Sequence, residues 1–456
     1  MPLVLLIRPL CEGDEPEFAE PLGIERLAGY LRDPGVDDVH VLDRRLYAAE
    51  HRAGFFDDVR DIVGERVPAL IGLSLMTSAD VADARRVMSR LHAWWPQATL
   101  AAGGVYVTGD YEKAARLLPR GCVLLRGEGE AQLLGLALGR AVDASAAALA
   151  SPDDWAIPLR LCPERYAALG CAVNLQSSRG CPGSCAFCAT PSLPESLRRW
   201  QGRDLRLVVD EMQQVAERLA AFGLPPVLNF VDDDFGSLAR LEALADELDA
   251  RSLRVAFACE LRLAALIGRP RLAERLACLR EVGLTRVFFG VESLNADTLA
   301  RWRKPYDVSR LPEVLEAFAS AGIAVQPGYI LWHGSQTLEG ALAEVTRLRE
   351  LGIYSHKAAL SRLIVFPGCA LAESGSNEVG FQPMGRREEA FHQRLVHETA
   401  ELARAWTKAA IAEPHAAAVA HLTGDDTRLT ELRHTLDDVN ERSYQRFVQM
   451  IQEALA

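Results

Sequence analysis

Cys181, Cys185 and Cys188 stand together in Ser178-Arg179-Gly180-Cys181-Pro182-Gly183-Ser184-Cys185-Ala186-Phe187-Cys188. This Cys-x3-Cys-x2-Cys spacing lets one loop present three thiolates to a single inorganic centre. A structural zinc site is the main rival, and it wants four close ligands. The next cysteine downstream is Cys259 and the next histidine is His333, while Cys162 and Cys171 precede the motif, so a fourth ligand stays open. A four-iron cubane held by three thiolates keeps one iron open to an outside ligand. The glycines and proline inside the loop let the backbone wrap a cubane closely. The other seven cysteines are scattered, which is no disulfide framework in a chain of 456 residues, and they read as small buried hydrophobes.

Something must hold that loop. It follows Ala172–Gln176, the first of six apolar segments that read as strands; the others are Val227–Val231, Val255–Cys259, Arg286–Gly290, Ala324–Ile330 and Ala359–Val365. Helix-length segments separate them, so residues 173–375 read as a partial (β/α)6 barrel of the TIM type, with its site at the C-terminal strand ends. Residues 1–140 show the same alternation. Val4–Arg8, Asp38–Leu42, Ala69–Leu75, Thr99–Ala102 and Cys122–Leu125 read as strands, with helices at Ile24–Arg32, Phe55–Glu65 and Ala79–Trp94. Five such units imply a flavodoxin-like, doubly wound domain of the Rossmann type, whose ligands sit at the strand carboxyl ends. Residues 141–172, with alanine-rich Ala144–Ala150 and then Ser151-Pro152-Asp153-Asp154, read as a linker. Residues 376–456 read as a small helical domain built on Glu388–Ala405 and Asp425–Ala456.

The formal net charge of −12 argues against a nucleic-acid partner. Arg198, Arg199, Arg203 and Arg206 form a local basic group, read chiefly as a solvated face. The apolar start, Met1 to Ile7, lacks a basic flank and a cleavage site, and no apolar run approaches the ~20 residues that span a bilayer. A cytoplasmic protein without membrane contact is expected.

Arg179-Gly180-Cys181-Pro182 through Phe187-Cys188 resembles the cluster loop of the radical S-adenosylmethionine (SAM) superfamily, with its usual aromatic before the last cysteine. The resemblance runs across residues 173–370. It implies a [4Fe-4S] cluster on Cys181, Cys185 and Cys188, with SAM chelating the open iron. It also implies SAM contacts from Phe187, from Asp232 and Asp233 after the second strand, and from Glu260 and Arg262 after the third. Glu292 and Ser293 would lie at the ribose or carboxylate, and Gln326 on the adenine side. Phe366-Pro367-Gly368 resembles the family's Pro-Gly-Thr, with Cys369 in place of the threonine. Read alone, Asp232–Asp234 serve as well as a helix cap or a cation site, and Glu292 as the partner of a nearby arginine.

The first domain resembles the cobalamin-binding domain that precedes many radical SAM modules. The resemblance rests on Ser74-Leu75-Met76-Thr77, Gly103-Gly104-Val105 and Gly127-Glu128-Gly129-Glu130. It implies that Ser74, Leu75, Met76, Thr77, Gly103, Gly104, Val105, Gly127, Glu128 and Glu130 line a cobalamin site. The family's Asp-x-His-x2-Gly motif is missing, and the first histidine is His40. Cobalamin is therefore expected base-off, without a histidine ligand. A domain that binds nothing is the bland alternative.

The resemblance implies a cobalamin-dependent radical SAM methyltransferase acting on a carbon of a small molecule through SAM and methylcobalamin. A flavodoxin or ferredoxin would supply electrons. A non-methylating rearrangement, cyclisation or oxidation is the second expectation, and a cobalamin- or metal-binding sensor the third. His333, Tyr329, Trp332, Trp302 and Tyr354 are candidate substrate-wall residues. Anaerobically prepared protein is expected to carry iron and sulfide, not zinc. Alanine at any one of the three cysteines is expected to abolish turnover, as metal analysis and SAM-cleavage assays would show.

Overall fold

The computed structural model describes residues 2–11, 19–32, 35–140, 152–193, 198–304, 306–366, 368–372 and 379–456. Ala144–Ala150 and Pro367 lie outside the described residues. The chain forms two compact units, the first ending at Asn174 and the second starting at Leu175.

The first unit is built on β1 (Val4–Arg8), β2 (Val39–Asp43), β3 (Leu70–Ser74), β4 (Thr99–Gly103) and β5 (Val123–Leu124). They form one parallel sheet in the order β2-β1-β3-β4-β5, a flavodoxin-like arrangement. Every residue of β1 is buried, as expected of a strand covered on both faces. Alternate side chains divide between two cores. Leu5 and Ile7 join Val59, Val63, Val87 and Leu91, whereas Val4 and Leu6 join Ile24, Ala28, Leu31, Leu133 and Leu136.

Residues 152–172, expected within a linker, are folded against this unit. Leu159 N–H donates to Glu25 O (2.8 Å), Tyr166 Oη donates to Asp43 (2.9 Å), and the Arg26 guanidinium covers the Trp155 ring. Gly29 is needed here, because a Cβ would sit 2.0 Å from Ile157 O.

The second sheet is built on β6 (Val173–Leu175), whose last residue opens the second unit, with β9 (Val227–Phe230), β10 (Ala256–Glu260), β11 (Leu284–Glu292) and β12 (Ala324–Tyr329), ordered β12-β11-β10-β9-β6. Strands β9 to β12 run parallel. A separate antiparallel ribbon pairs β7 (Ser178–Arg179) with β8 (Gln201–Gly202). The sixth strand expected at Ala359–Val365 begins inside the short helix His356–Leu360; beyond it Arg362 makes one parallel bridge to Trp332, and Ile364–Val365 pairs antiparallel with Gly380–Phe381. Pro327 lies in β12, the edge strand, where its missing N–H costs no ladder bond.

The C-terminal helices Arg386–Glu398, Ala400–Thr423 and Thr427–Leu455 belong to this second unit. The break at Thr399 and the continuation through Pro414 differ from the expected helices Glu388–Ala405 and Asp425–Ala456. Helix Ala400–Thr423 lies against β9, β10 and β11. It meets the face opposite the one that packs Phe289 on Phe318, since Arg286, three residues from Phe289, pairs with Glu413. Its buried residues are mostly alanine, which permits close approach. Among the described residues no helix is long and apolar enough to cross a membrane.

Gly104 has φ +101°, and a Cβ there would lie 2.4 Å from Leu75 O. Gly104→Ala is therefore expected to destabilise the first unit by ~2–4 kcal/mol in urea unfolding, while Gly109→Ala, with open space around it, changes it by less than ~0.5 kcal/mol.

Candidate functional site

The three cysteines sit on an excursion from the sheet that is closed at its base. The β7–β8 ribbon forms the neck, pairing Ser178 with Gly202 and Arg179 with Gln201. Asp232, just past β9, locks it. One carboxylate oxygen accepts from Ser177 N–H (2.8 Å) and Ser178 N–H (3.0 Å), and the other accepts from Ser177 Oγ (2.5 Å). Gly180 has φ +74°, and a Cβ there would lie 2.6 Å from the Arg198 and Arg199 carbonyls, so the turn into the loop demands glycine. Beyond the neck, Ala186 N–H donates to Trp302 O (2.9 Å) and Leu371 N–H donates to Ala186 O (3.1 Å). Leu371, shortly after Gly368, thus lies beside the cluster loop.

Two of the thiols lie close to Gly183. A Cβ added at Gly183 would lie 3.3 Å from Cys181 Sγ and 3.7 Å from Cys185 Sγ, and the charge of Cys185 is in turn felt with that of Cys188. Gly183 N–H donates to Cys181 Sγ and Thr190 N–H to Cys188 Sγ, both at 3.4 Å. Such N–H···S bonds stabilise thiolates and tune iron–sulfur centres. Burial pushes the Cys181 thiol up to about 11, so binding a metal there must release a proton. Among the described residues, no three His, Cys, Asp or Glu side chains converge tightly enough to hold a single ion. Three thiolates on one loop match the protein ligands of a cubane with one open iron, whereas a structural zinc wants four. The donor set therefore fits a [4Fe-4S] cluster.

The expected SAM residues take distinct places. Asp232 is spent on the neck. Asp233 is exposed at the mouth and accepts from Gly180 N–H. Asp234 is fully buried and holds Arg262 by Nε (2.6 Å), which brings Arg262 beside Cys181. Glu260 is half-buried at the end of β10. Glu292 ends β11 at φ +64° and pairs with Lys304 (3.0 Å), not with an arginine. Ser293 is buried and donates to Glu344 (3.1 Å). Gln326 accepts from Arg286 (3.0 Å), the partner of Glu413. Phe187 meets Trp302 edge-on at 5.5 Å, and Trp302 meets His333 at 5.0 Å. Asp233, Glu260, Arg262 and Glu292 thus share the strand ends with the cysteine loop, and they fit a zwitterionic ligand at an open iron.

Of the wall candidates, Trp302 and His333 lie nearest the loop. Tyr329 donates to Glu344, which also accepts from Gln336 (3.0 Å). Trp332 is buried against Phe391 and Phe447, and Tyr354 bonds Ser443 (2.8 Å), so both belong to the contact with the C-terminal helices. The basic group dissolves: Arg203 is buried with Glu211 (2.8 Å), Arg206 pairs with Asp204 (2.6 Å), and Arg198 and Arg199 are exposed. Lys304, Glu344 and the Arg286–Glu413 pair were missed in sequence, since each is joined to the site by the fold and not by spacing.

In the first unit, the implied cobalamin loops follow β3, β4 and β5. Asp80 accepts from Met76 N–H (2.6 Å) and Thr77 N–H (2.9 Å) and pairs with Arg8 (2.8 Å). Leu75 N–H donates to Gly103 O (2.9 Å), and Gly127 N–H donates to Thr108 Oγ (3.1 Å). Met76 and Val105 are 49% and 64% exposed on this edge. Ser74, Gly103, Gly127 and Glu128 are half-buried, whereas Leu75 and Glu130 are buried. Braced, glycine-bearing loops with exposed apolar side chains fit a corrin. His40 lies in β2, bonded to Asp38 (2.9 Å).

Residues 16–137 match the B12 binding domain and residues 175–368 the radical SAM superfamily. The chain is 24% identical to an anaerobic magnesium-protoporphyrin IX monomethyl ester cyclase of Rubrivivax gelatinosus, covering 74% of this chain and 63% of that protein. It is 25% identical to an uncharacterised methyltransferase of Pyrococcus horikoshii, covering 77% and 78%. Among solved structures, the cobalamin-dependent SAM radical enzyme OxsB superposes with a TM-score of 0.75 at 14% identity, over 97% of this chain and 72% of that one. The radical SAM methyltransferase TsrM from Kitasatospora setae gives 0.62 at 18%, over 81% and 75%.

Desolvation pushes the buried Asp232 carboxyl up to about 6, against about 3.9 when unfolded. A raised carboxyl lends its stability below the unfolded value and loses it as pH rises through about 6. Urea unfolding of the metal-free protein is therefore expected to lose up to ~3 kcal/mol between pH 4 and 7 relative to Asp232→Asn, which cannot titrate. A difference that does not vary with pH removes the carboxyl from this role.

Proposed function

Because this chain joins a B12-binding domain to a radical SAM domain, we propose that it is a cobalamin-dependent radical SAM methyltransferase acting on a carbon of a small molecule. Its cofactors are a [4Fe-4S] cluster, SAM and cobalamin. When bound, they supply one-electron cleavage of a sulfonium and methyl transfer through cobalt. The single observation that carries the reading is one loop that bears Cys181, Cys185 and Cys188, with Arg262 beside Cys181 and the Lys304–Glu292 pair on the side of Cys185.

In this reading the chain's residues bind, orient and exclude. The three thiolates hold the cluster, and the neck locked by Asp232 fixes where it sits. Arg262, aimed by Asp234, offers a cation to a carboxylate, and Asp233, Glu260 and Glu292 offer acceptors to amino and hydroxyl groups. Phe187, Trp302 and His333 supply apolar cover that keeps water from the centre. Ser74 to Thr77, Gly103 to Val105, Gly127, Glu128 and Glu130 would hold cobalamin, base-off and without histidine. A small-molecule substrate and an external one-electron donor of the flavodoxin or ferredoxin type complete the system. Hopanoid C-2 and C-3 methylases are among the relatives, at 29% and 28% identity. The cyclase from Rubrivivax gelatinosus favours a second reading, radical chemistry without methylation.

Anaerobic reconstitution with iron, sulfide and hydroxocobalamin is expected to give about four irons and one cobalamin per chain. The cobalt absorbance should lack the signature of a nitrogen ligand. With reductant and SAM, product heavier than substrate by one CH₂ supports methylation, whereas an isomer or dehydrogenated product moves the assignment to the second reading. A chain that holds zinc and cleaves no SAM overturns both.

A further inference from the structure

Lys304 has no place in the sequence motifs, yet it stands against the cluster loop. Its Nζ lies 3.0 Å from Glu292 Oε1 and 5.5 Å from the centre of the Phe187 ring, and Phe187 separates Cys185 from Cys188. Both members of the pair are largely buried, with side chains 12% and 13% exposed. The local backbone is shaped around them. Glu292 adopts φ +64°, a strained value for a non-glycine residue. Gly290 leaves room for the pair: a Cβ there would lie 2.0 Å from Glu292 Oε1 and 3.1 Å from Lys304 Nζ and would push both side chains from these positions. The segment is also tied to the loop through Ala186 N–H and Trp302 O.

At Cys185 the Lys304 ammonium is the largest charge influence, ahead of Cys188 and Glu292. The other pair leans the opposite way: at Cys181, Asp234 outweighs Arg262. The Lys304 ammonium thus stands on the Phe187 side of the loop, between the two later cysteines in sequence. In a dry site, a cation stabilises whichever redox state is more negative.

We infer that Lys304, anchored by Glu292, is the cation that raises the reduction potential of the cluster held by Cys181, Cys185 and Cys188. This rests on the reading of that loop as a [4Fe-4S] site. Reduction adds one electron from a low-potential donor and no proton, so the cluster gains one negative charge, and Lys304 meets it without moving. Lys304 is a tuning residue and takes no part in bond making.

The test uses the full chain, reconstituted anaerobically and assayed for iron and sulfide, then titrated with dithionite under EPR detection without SAM. Lys304→Met is expected to make reduction about tenfold harder, a midpoint about 59 mV lower for a one-electron couple. Lys304→Arg is expected to stay near the parent, and Glu292→Gln, which leaves the ammonium unopposed, to shift the midpoint upward. A fully loaded Lys304→Met protein with the parent midpoint overturns the inference while leaving the cluster reading intact. Should Lys304→Met fail to load, an unmoved Glu292→Gln midpoint overturns it equally. A parent protein that holds no four-iron cluster sinks the underlying reading and the inference with it.

Discussion

A loop without regular structure has to hold three sulfurs in fixed relation, and everything else in the second unit answers to that. The solution is to close the loop at its neck and leave its body free to wrap. Asp232 performs the closure with three hydrogen bonds to Ser177 and Ser178, and the β7–β8 ribbon and Gly180 complete it. A buried carboxylate is costly unless its oxygens are satisfied, so the neck and the carboxylate stabilise each other. The next two residues do different work on the same strand end. Asp233 faces the mouth and Asp234 aims Arg262. One run of three aspartates thereby joins closure, access and charge.

The charges around the loop are arranged in pairs that differ in balance. Arg262–Asp234 and Lys304–Glu292 flank different cysteines, and in each the carboxylate holds the cation in place. Isolated buried charges would be intolerable here, whereas pairs can be placed asymmetrically at tolerable cost. Glu344 plays a related structural part further out, gathering Ser293, Leu294, Tyr329 and Gln336 and so fixing the turn that follows Glu292.

Much of this was legible in sequence. Short apolar strands set between helices gave both parallel sheets, and the cysteine spacing located the loop, because these signals are local. What escaped was joined only by folding. Nothing in Trp302-Arg303-Lys304 announces that the lysine reaches Phe187. The sixth strand is shorter than expected because Ala359–Val365 begins in a helix capped by Ser355, whose Oγ accepts from Ala358 N–H, and only Ile364–Val365 is extended into a ladder. Pro414 hid a helix of 24 residues, since tertiary packing overrides the local penalty. The individual roles of Asp232, Asp233 and Asp234 were equally invisible, as adjacent identical residues point to different neighbours.

The Arg286–Glu413 pair joins positions 127 residues apart. During synthesis the parallel strands emerge long before the alanine-rich helix that covers one of their faces. Until Glu413 leaves the ribosome, Arg286 has no carboxylate to meet and that face of the sheet stays wet. Maturation of this unit is consequently ordered in time: the sheet can pair early, but its interior is sealed only when translation has passed the helical hairpin. A nascent chain stalled before residue 413 would present a half-finished sheet to chaperones and proteases.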